Sequence, residues 1–153
     1  MVRKAAAQDH FRLFLAGKNL RLTPDRLAIL DAALENESHF DVDGLLQRLR
    51  RRGQPASRAT TYRTMDLLVQ SGVIGKVPAP ETGQALFEPV FGRQHHDHMF
   101  CLGCGAVLEF FDPRLEALQE EICAAHGFVI TGHVHRLQGY CRACTPSRSV
   151  PTS

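Results

Sequence analysis

Apolar residues recur every three or four positions through the first seventy residues, which is the period of helices that bury one face. A first helix is predicted over residues 9–16, and Gly17 ends it. A second starts at Thr23-Pro24, because threonine is a favoured N-cap and proline fits the first helical position. Its apolar face carries Leu27, Leu30 and Leu34.

Two more helices follow. Asp41 caps the third, and Gly53 ends it. Ser57 caps the fourth, which extends over residues 58–71. The apolar faces of these two helices consist of Val42, Leu45, Leu46, Leu49, Met65, Leu68 and Val69. The fourth helix directs other residues outward, namely Arg58, Tyr62 and Arg63.

Two strands are predicted next, over residues 73–77 and 85–88, around a turn-rich stretch at 78–83. The last three of these helices, followed by a two-stranded hairpin, have the layout of a winged helix-turn-helix. We therefore predict a winged-helix DNA-binding domain over residues 1–88 and a hinge over residues 89–94.

The second half of the chain predicts a small α+β domain over residues 95–145. Strands are expected at 98–102 and 106–110. A helix starts at Asp112-Pro113, and a long strand follows over 128–140, with Gly132 as a bulge. The helix carries an apolar stripe of Leu115, Leu118, Ile122 and Ala125. Residues 146–153 are rich in serine, threonine and proline, and we expect a disordered tail.

The apolar stripe and the long strand favour a homodimer formed through the C-terminal half. A strand that would otherwise expose its edge needs a partner. Two-fold symmetry would also suit a protein that reads palindromic DNA.

Charge divides the chain in the same way. The net charge is only +2, but residues 1–63 hold twelve Lys/Arg against seven Asp/Glu, whereas residues 64–153 hold six against nine. A basic first half fits a polyanionic partner such as double-stranded DNA. An uneven but merely solvated surface is the alternative.

Nothing in the chain predicts export or a membrane partner. No apolar stretch of signal-peptide length follows Arg3 and Lys4. No window approaches the roughly 20 apolar residues of a membrane span. We expect a cytoplasmic protein, in which patterned cysteines are reduced and available as metal ligands.

Four of the five cysteines form two Cys-x-x-Cys pairs, Cys101 with Cys104 and Cys141 with Cys144. Two such turns can complete a tetrahedral thiolate shell, which suits a closed structural Zn²⁺ site. A dithiol redox switch and two unrelated thiol pairs are the alternatives. Cys123 lies on the predicted helix and is expected to be a small buried hydrophobe.

The second chemical signal is the tetrapeptide His95-His96-Asp97-His98, called here the His cluster. Successive residues of an extended chain point to opposite sides, so His96 and His98 share one side and His95 and Asp97 the other. The cluster could therefore supply two sites of nitrogen and oxygen ligands, which favour exchangeable Fe²⁺, Mn²⁺ or Zn²⁺. Partners could come from His39, Glu88, Glu109, Glu116, His133 and His135.

The third signal is the start of the fourth helix, residues 55–63, where small residues allow close approach to a DNA groove. Hydroxyls and Arg63 can meet phosphates, and Tyr62 can touch a thymine methyl or stack near a base edge. The DNA-contacting residues expected on this helix are Ser57, Arg58, Thr60, Thr61, Tyr62 and Arg63.

Taken together, these segments resemble the ferric uptake regulator (Fur) family over about residues 20–144. The motifs that carry the resemblance are RLTPDRL at 21–27, ATTYR at 59–63, Phe87-Glu88, the His cluster, Cys101-x-x-Cys-Gly105, Glu109-Phe110 and Cys141-x-x-Cys144. The resemblance implies a homodimer with an N-terminal winged helix and a C-terminal α+β dimerisation domain. It also implies metal-dependent binding to an AT-rich inverted repeat, which blocks transcription.

The resemblance implies a role for each matching residue. Structural zinc falls on the four paired cysteines. A sensing site that spans the hinge falls on His39, Glu88, His96, His98 and Glu109. An additional site falls on His95, Asp97, Glu116 and His133. Among DNA contacts it matches Tyr62, Arg63 and, near the backbone, Arg26.

Three local features bear on how well the family pattern matches. The loop that carries His39 varies in length within the family, and one extra residue separates Glu88 from the His cluster. His135 has no clear counterpart and could compete as a ligand. The first two features bear on how the hinge-spanning site would be built.

The branches of the family sense different metals. Glu88 and Glu109 weigh against the peroxide-sensing branch, which tends to use aspartate. Iron is the first expectation for the sensed metal, zinc is the alternative, and manganese is also compatible. No organic cofactor is expected.

Two functions of other classes are alternatives. A metallohydrolase would need an open coordination position, a general base and a pocket, and the chain has no motif for them, so we predict no enzyme. A zinc-stabilised interaction module would lack DNA specificity. Retardation of specific DNA by metal-loaded protein separates that module from a regulator.

Overall fold

The computed structural model describes residues 2–36, 39–77 and 85–145. Its elements are α1 (Val2–Gly17), α2 (Pro24–Leu34), α3 (Val42–Arg51), α4 (Arg58–Gln70), β1 (Ile74–Val77), β2 (Leu86–Pro89), β3 (Asp97–Cys101), β4 (Val107–Phe110), α5 (Pro113–Ala125) and β5 (Arg136–Gly139). They divide into two compact units, Met1–Gln94 and His95–Ser153. The predicted α+β class is confirmed.

Side-chain caps fix the starts of the three helices that follow α1. Thr23 accepts a hydrogen bond from the backbone N–H of Arg26 at 3.3 Å. Asp41 accepts one from Gly44 at 2.7 Å, and Ser57 accepts one from Thr60 at 3.0 Å. Each bond satisfies a backbone donor that the helix itself leaves unpaired, so the helices begin where the sequence predicted.

The first unit has one continuous apolar core. Side chains from all four helices and from the hairpin meet in it. Fully buried members include Phe11, Leu15, Ile29, Leu30, Leu45, Leu49, Met65, Leu68 and Ile74. This core holds the exposed face of α4 on a rigid support.

The wing of the first unit is the antiparallel pair β1–β2, in which Gly75 lies opposite Glu88. An isolated bridge extends it: Phe40 and Phe87 exchange two backbone hydrogen bonds of 2.9 and 2.8 Å. The bridge ties the loop after α2 to β2. It therefore brings His39, just before Phe40, beside Glu88, just after Phe87. The predicted turn at 78–83 lies outside the described residues.

The second unit is built on a three-stranded sheet of order β4-β3-β5. β3 pairs antiparallel with β4 and parallel with β5, with Cys101 opposite Gly139. Because β3 and β5 run in the same direction, the two Cys-x-x-Cys turns leave the sheet at the same end. Asp112 caps α5, and hydrogen bonds from Arg114 hold the pKa of that carboxyl at about 2.

Two elements differ from the prediction. α1 begins at Val2 instead of residue 9, because the alanine-rich stretch at 5–7 has high helix propensity and nothing breaks the helix. The predicted strand over 128–140 was wrong in length, since only Arg136–Gly139 is a strand. β3 has five residues, and backbone beyond its end finds no ladder partner there.

The predicted tail at 146–153 lies outside the described residues. Within the described part of the chain, no helix has both the length and the apolar character needed to span a bilayer.

Candidate metal centres and nucleic-acid interface

The four paired cysteines converge on one point in the second unit. One sulfur from each of Cys101, Cys104, Cys141 and Cys144 lies within 4.8 Å of the others, and Cys104 Sγ lies 3.8 Å from Cys141 Sγ. A tetrahedron of sulfurs at the Zn–S bond length has edges of about 3.8 Å. The donor set and its spacing therefore fit Zn²⁺.

Tight turns aim these sulfurs inward. The N–H of Gly105 donates to the carbonyl of Cys101 at 2.9 Å, and the N–H of Thr145 donates to that of Cys141 at 2.8 Å. At Gly103, an added Cβ would lie only 2.7 Å from Cys144 Cβ. Glycine at this position lets the two turns approach each other closely.

Hydrogen bonding shifts the pKa values of Cys101 and Cys144 in opposite directions. The pKa of Cys101 is lowered to about 6, chiefly because the backbone N–H of Cys141 donates to its sulfur at 3.2 Å. The pKa of Cys144 is raised to about 12 by hydrogen bonding to Cys141 and then to its other sulfur neighbours. A cation bound at the centre would favour all four thiolates, and its uptake would release protons.

A second cluster in the same unit joins His95, Asp97, Glu116 and His133. Their ligand atoms all lie within 4.8 Å of one another. The Nε2 atoms of His95 and His133 are 2.8 Å apart, and Asp97 Oδ1 lies 3.3 and 3.6 Å from them. Among the described residues, no donor hydrogen-bonds the buried Oδ2 of Asp97. Two imidazoles and two carboxylates at this spacing fit a divalent cation such as Zn²⁺ or Fe²⁺.

The other side of the His cluster carries a separate group. The rings of His96 and His98 are 5.1 Å apart, and His96 Nε2 lies 3.9 Å from Glu109 Oε2. His98 lies directly opposite Glu109 in the β3–β4 ladder. The alternation expected from the sequence is therefore observed, with His95 and Asp97 on one side and His96 and His98 on the other.

The first unit has its own pair of ligand types. His39 Nε2 lies 3.8 Å from Glu88 Oε2, and both side chains are largely buried. The Phe40–Phe87 bridge positions them. His135 lies near the additional cluster, with its ring 5.7 Å from that of His133.

The exposed face of α4 carries most of the expected DNA contacts. Tyr62 is 45% exposed, and Arg63 and Arg58 are also exposed. The Ser57 hydroxyl donates to the Thr60 hydroxyl at 2.8 Å, so both hydroxyls remain at the helix start.

Two expected contacts are placed differently from the others. Thr61 is fully buried, and its hydroxyl donates to the Ser57 carbonyl at 3.0 Å, so it lies beneath the exposed face. Thr61 lies one helical turn before Met65, which was predicted on the apolar side of the helix, and this spacing could have indicated that Thr61 is buried. Arg26 is half-buried, and its guanidinium donates to the carbonyl of Arg21.

One partner on this face was missed from the sequence. Asp43, in the first turn of α3, forms an ion pair with Arg58 at 2.8 Å. The two residues are fifteen positions apart and lie on different helices, so periodicity gave no signal.

Known proteins resemble this chain along most of its length. The model of the Ferric uptake regulator family matches residues 17–138. The ferric uptake regulation protein of Escherichia coli K12 is 37% identical over 123 residues, which cover 80% of this chain and 82% of that protein.

Solved structures agree. The Helicobacter pylori ferric uptake regulator superposes with a TM-score of 0.81 and covers 95% of this chain and 96% of its own; its 21% identity supports the fold alone. A zinc uptake regulator solved with zinc and DNA has a TM-score of 0.55 and 28% identity, covering 90% of this chain and 93% of its own.

The resemblance noted in the sequence is thus confirmed by the family match, the relatives and the fold. Members of this family regulate transcription and are not enzymes. The chain belongs to the ferric uptake regulator family, and it is a metal-responsive transcription regulator.

Proposed function

We propose that the protein is an iron-responsive repressor that binds an AT-rich inverted repeat in double-stranded DNA as a homodimer. Residues 1–88 read DNA, residues 89–94 form the hinge, and residues 95–145 bind metal and dimerise. Structural Zn²⁺ occupies the four-cysteine site, and Fe²⁺ is the regulatory ion. A DNA partner and reduced thiolates both fit the cytoplasm.

The observation that carries this proposal is the division of His and carboxylate ligands between the two units. His39 and Glu88 lie together in the first unit. His96, His98 and Glu109 lie together in the second. The first set has two ligands and the second has three, so closure of both sets around one ion would complete a shell of five ligands.

Such closure would couple metal binding to DNA binding. Holding the ion from both sides restricts the relative placement of the units, and an arrangement that binds the ion better becomes more populated. Linkage then requires that operator DNA tighten metal binding by the same factor. The additional cluster at His95, Asp97, Glu116 and His133 lies within one unit, and we propose that it modulates the same response.

The surface of the second unit supports a homodimer. No residue of α5 is buried, and its stripe leaves Leu118 51% and Ile122 52% exposed. Soluble proteins rarely expose such contiguous apolar surface unless it binds a partner. A second copy of the chain satisfies the stripe and supplies the two-fold symmetry that an inverted repeat requires.

Zinc sensing is the second candidate, because zinc accepts the same ligands and the zinc uptake regulator compared above was solved with zinc and DNA. Manganese can occupy similar sites. The metal that elicits DNA binding decides among them.

The test begins with DNA duplexes selected from a random pool by the zinc-containing protein, in separate selections with added Fe²⁺, Zn²⁺ or Mn²⁺. Affinity for the selected duplex is then titrated under anaerobic conditions with Fe²⁺, Zn²⁺ or Mn²⁺. We expect Fe²⁺ to raise the affinity for DNA at least tenfold. Zn²⁺ binds nitrogen and oxygen ligands more tightly than Fe²⁺ in general, so a response to Zn²⁺ at a lower free concentration would not by itself contradict iron sensing. A failure of Fe²⁺ to raise the affinity, with a response to Zn²⁺, would assign the protein to zinc sensing.

His98→Ala tests the sensing site, and His126→Ala, an exposed histidine after α5, is the matched control. We expect the His98 variant to remain a folded, zinc-containing dimer that no longer responds to added metal. The control should respond as the wild type does. Equal metal responses in both variants would remove His98 from the site.

A further inference from the structure

The arginine at the start of α4 is already engaged by a carboxylate. Arg58 places its two terminal nitrogens 2.8 and 3.1 Å from the two carboxylate oxygens of Asp43. This is the two-pronged geometry in which a guanidinium binds a carboxylate with a defined orientation. The guanidinium carbon of Arg58 lies 5.8 Å from the ring centroid of Tyr62, which is one helical turn further along α4.

Stability offers only a weak reason for this arrangement. The Arg58 and Asp43 side chains are 61% and 38% exposed, and exposed ion pairs contribute little to folding. The pair instead occupies the face of α4 from which Tyr62 and Arg63 are exposed. Its consequences therefore concern what that face binds.

The ion pair lies beside the tyrosine. Hydrogen bonds to Asp43 and then to Tyr62 raise the pKa of Arg58. Arginine keeps its charge in proteins, and a cation over an aromatic ring is attracted to the ring face. Asp43 thus acts on Tyr62 through Arg58.

We propose that Asp43 is a specificity-determining positioning residue: it holds Arg58 over Tyr62 and withholds that charge from the phosphates of non-cognate DNA. The inference rests on the proposed function of α4 as the DNA-reading helix. Phosphate contacts add affinity without sequence information, whereas base contacts discriminate. An arginine whose charge is paired with a carboxylate contributes less to phosphate contacts, which shifts this balance toward discrimination by Tyr62.

Asp43→Asn tests the inference, with Asp25→Asn as a closely matched control. Each aspartate is the second residue of its helix and lies in an acidic first turn, so both changes remove one negative charge from equivalent positions. The side chain of Asp25 is exposed and, within the described part of the chain, forms no hydrogen bond or ion pair. Metal-loaded variants are titrated with the selected duplex and with a scrambled duplex over a range of salt concentrations.

Relative to Asp25→Asn, we expect Asp43→Asn to bind scrambled DNA about threefold or more tightly, with a salt slope steeper by about one phosphate contact. The preference for the selected duplex should fall by a similar factor. Asp43→Glu should restore wild-type behaviour, and Arg58→Ala should abolish the effect of Asp43→Asn. Circular dichroism of each variant establishes that it is folded.

Other outcomes distinguish a failure of the inference about Asp43 from a failure of the proposed function. If the two asparagine variants behave alike, or if the effect persists in Arg58→Ala, Asp43 acts only through net charge and the inference fails while the proposed function stands. If the metal-loaded wild type prefers no duplex from the random pool, the proposed function fails, and this inference fails with it.

Discussion

The two units of the molecule bury their apolar residues to very different extents. The first unit encloses large side chains completely, among them Phe11, Leu30 and Leu49. The second unit buries Phe100 and Cys101 but leaves Val129 81% and Phe128 66% exposed, and none of α5 is buried. The first unit therefore has a core of its own, whereas the second lacks one of comparable size.

This difference shows where each unit obtains its stability. Apolar burial is the main favourable term in folding, so we expect the first unit to fold by itself. We expect the second unit to replace the missing burial with metal ligation at its four cysteines and with association between copies. On this view the first unit is stable without metal, and the second depends on its ligands.

Removal of the structural metal should have the largest effect and should confine it to one unit. Cys101→Ser breaks the shell, and structural zinc sites of this kind contribute about 10–16 kcal/mol of apparent binding free energy. We expect loss of zinc, loss of dimerisation and melting of the second unit, while the helical transition of the first unit persists. Thermal melts followed by circular dichroism, with zinc analysis, measure this.

Cys123→Ser is the control, because Cys123 lies on α5 and outside the shell. It should keep its zinc and melt as the wild type does. If both units melt in a single transition, and Cys101→Ser abolishes that transition, the first unit is not stable independently of the second.

A cavity in the first unit should have the next largest effect. Leu30 is fully buried, and Leu30→Ala should reduce the free energy of unfolding by about 2–5 kcal/mol. Leu13 lies in the same unit but is 74% exposed, so Leu13→Ala should change it by less than about 0.5 kcal/mol. Urea denaturation of the first transition compares the two, and equal losses would argue against an independent core.

A charge introduced on α5 tests whether the second unit relies on association between copies. Ile122→Glu places a carboxylate in the exposed apolar stripe, and we expect the dimer dissociation constant to rise roughly 10–100-fold, which is about 1.4–3 kcal/mol. Zinc content should not change. Sedimentation gives the constant, with Glu120→Gln, on the same helix, as the control. An unchanged constant would place the dimer contact elsewhere.

The smallest expected effect concerns the cap of the DNA-reading helix. Ser57→Ala removes the bond to the Thr60 N–H and should cost about 1 kcal/mol in the first unit alone. Ser57→Gly should cost only a few tenths of that, because glycine leaves the cap accessible to water. The second transition should be the same in both variants, and a shift there would show that the units unfold together.

Local rules were sufficient for the features that depend on near neighbours in the chain. Thr23, Asp41 and Ser57 were identified as caps because a cap needs only its own helix. Cysteine spacing identified each Cys-x-x-Cys turn, and alternation separated His95 from His96, for the same reason.

Features that depend on distant partners could not be predicted this way. The length of β5 is set by β3, thirty-odd residues away, and no pattern within 128–140 shows where β3 ends. The pairing of Arg58 with Asp43 depends on the angle between α3 and α4, which the sequence does not give. Thr61 was expected to contact DNA because the side of α4 that faces the core was not taken into account.

The parallel pairing of β3 with β5 has a consequence for the order of events on the ribosome. The first unit is complete when residue 94 has been made, but the sulfur shell needs Cys144, which is synthesised 50 residues later. At cellular translation speeds of 5–20 residues per second, that delay is about 3–10 s. Under the proposed function, a nascent chain would therefore carry a complete first unit before it could bind zinc or associate with a second copy. Each new copy would then pass through a monomeric stage in which it could contact only one half of an inverted repeat.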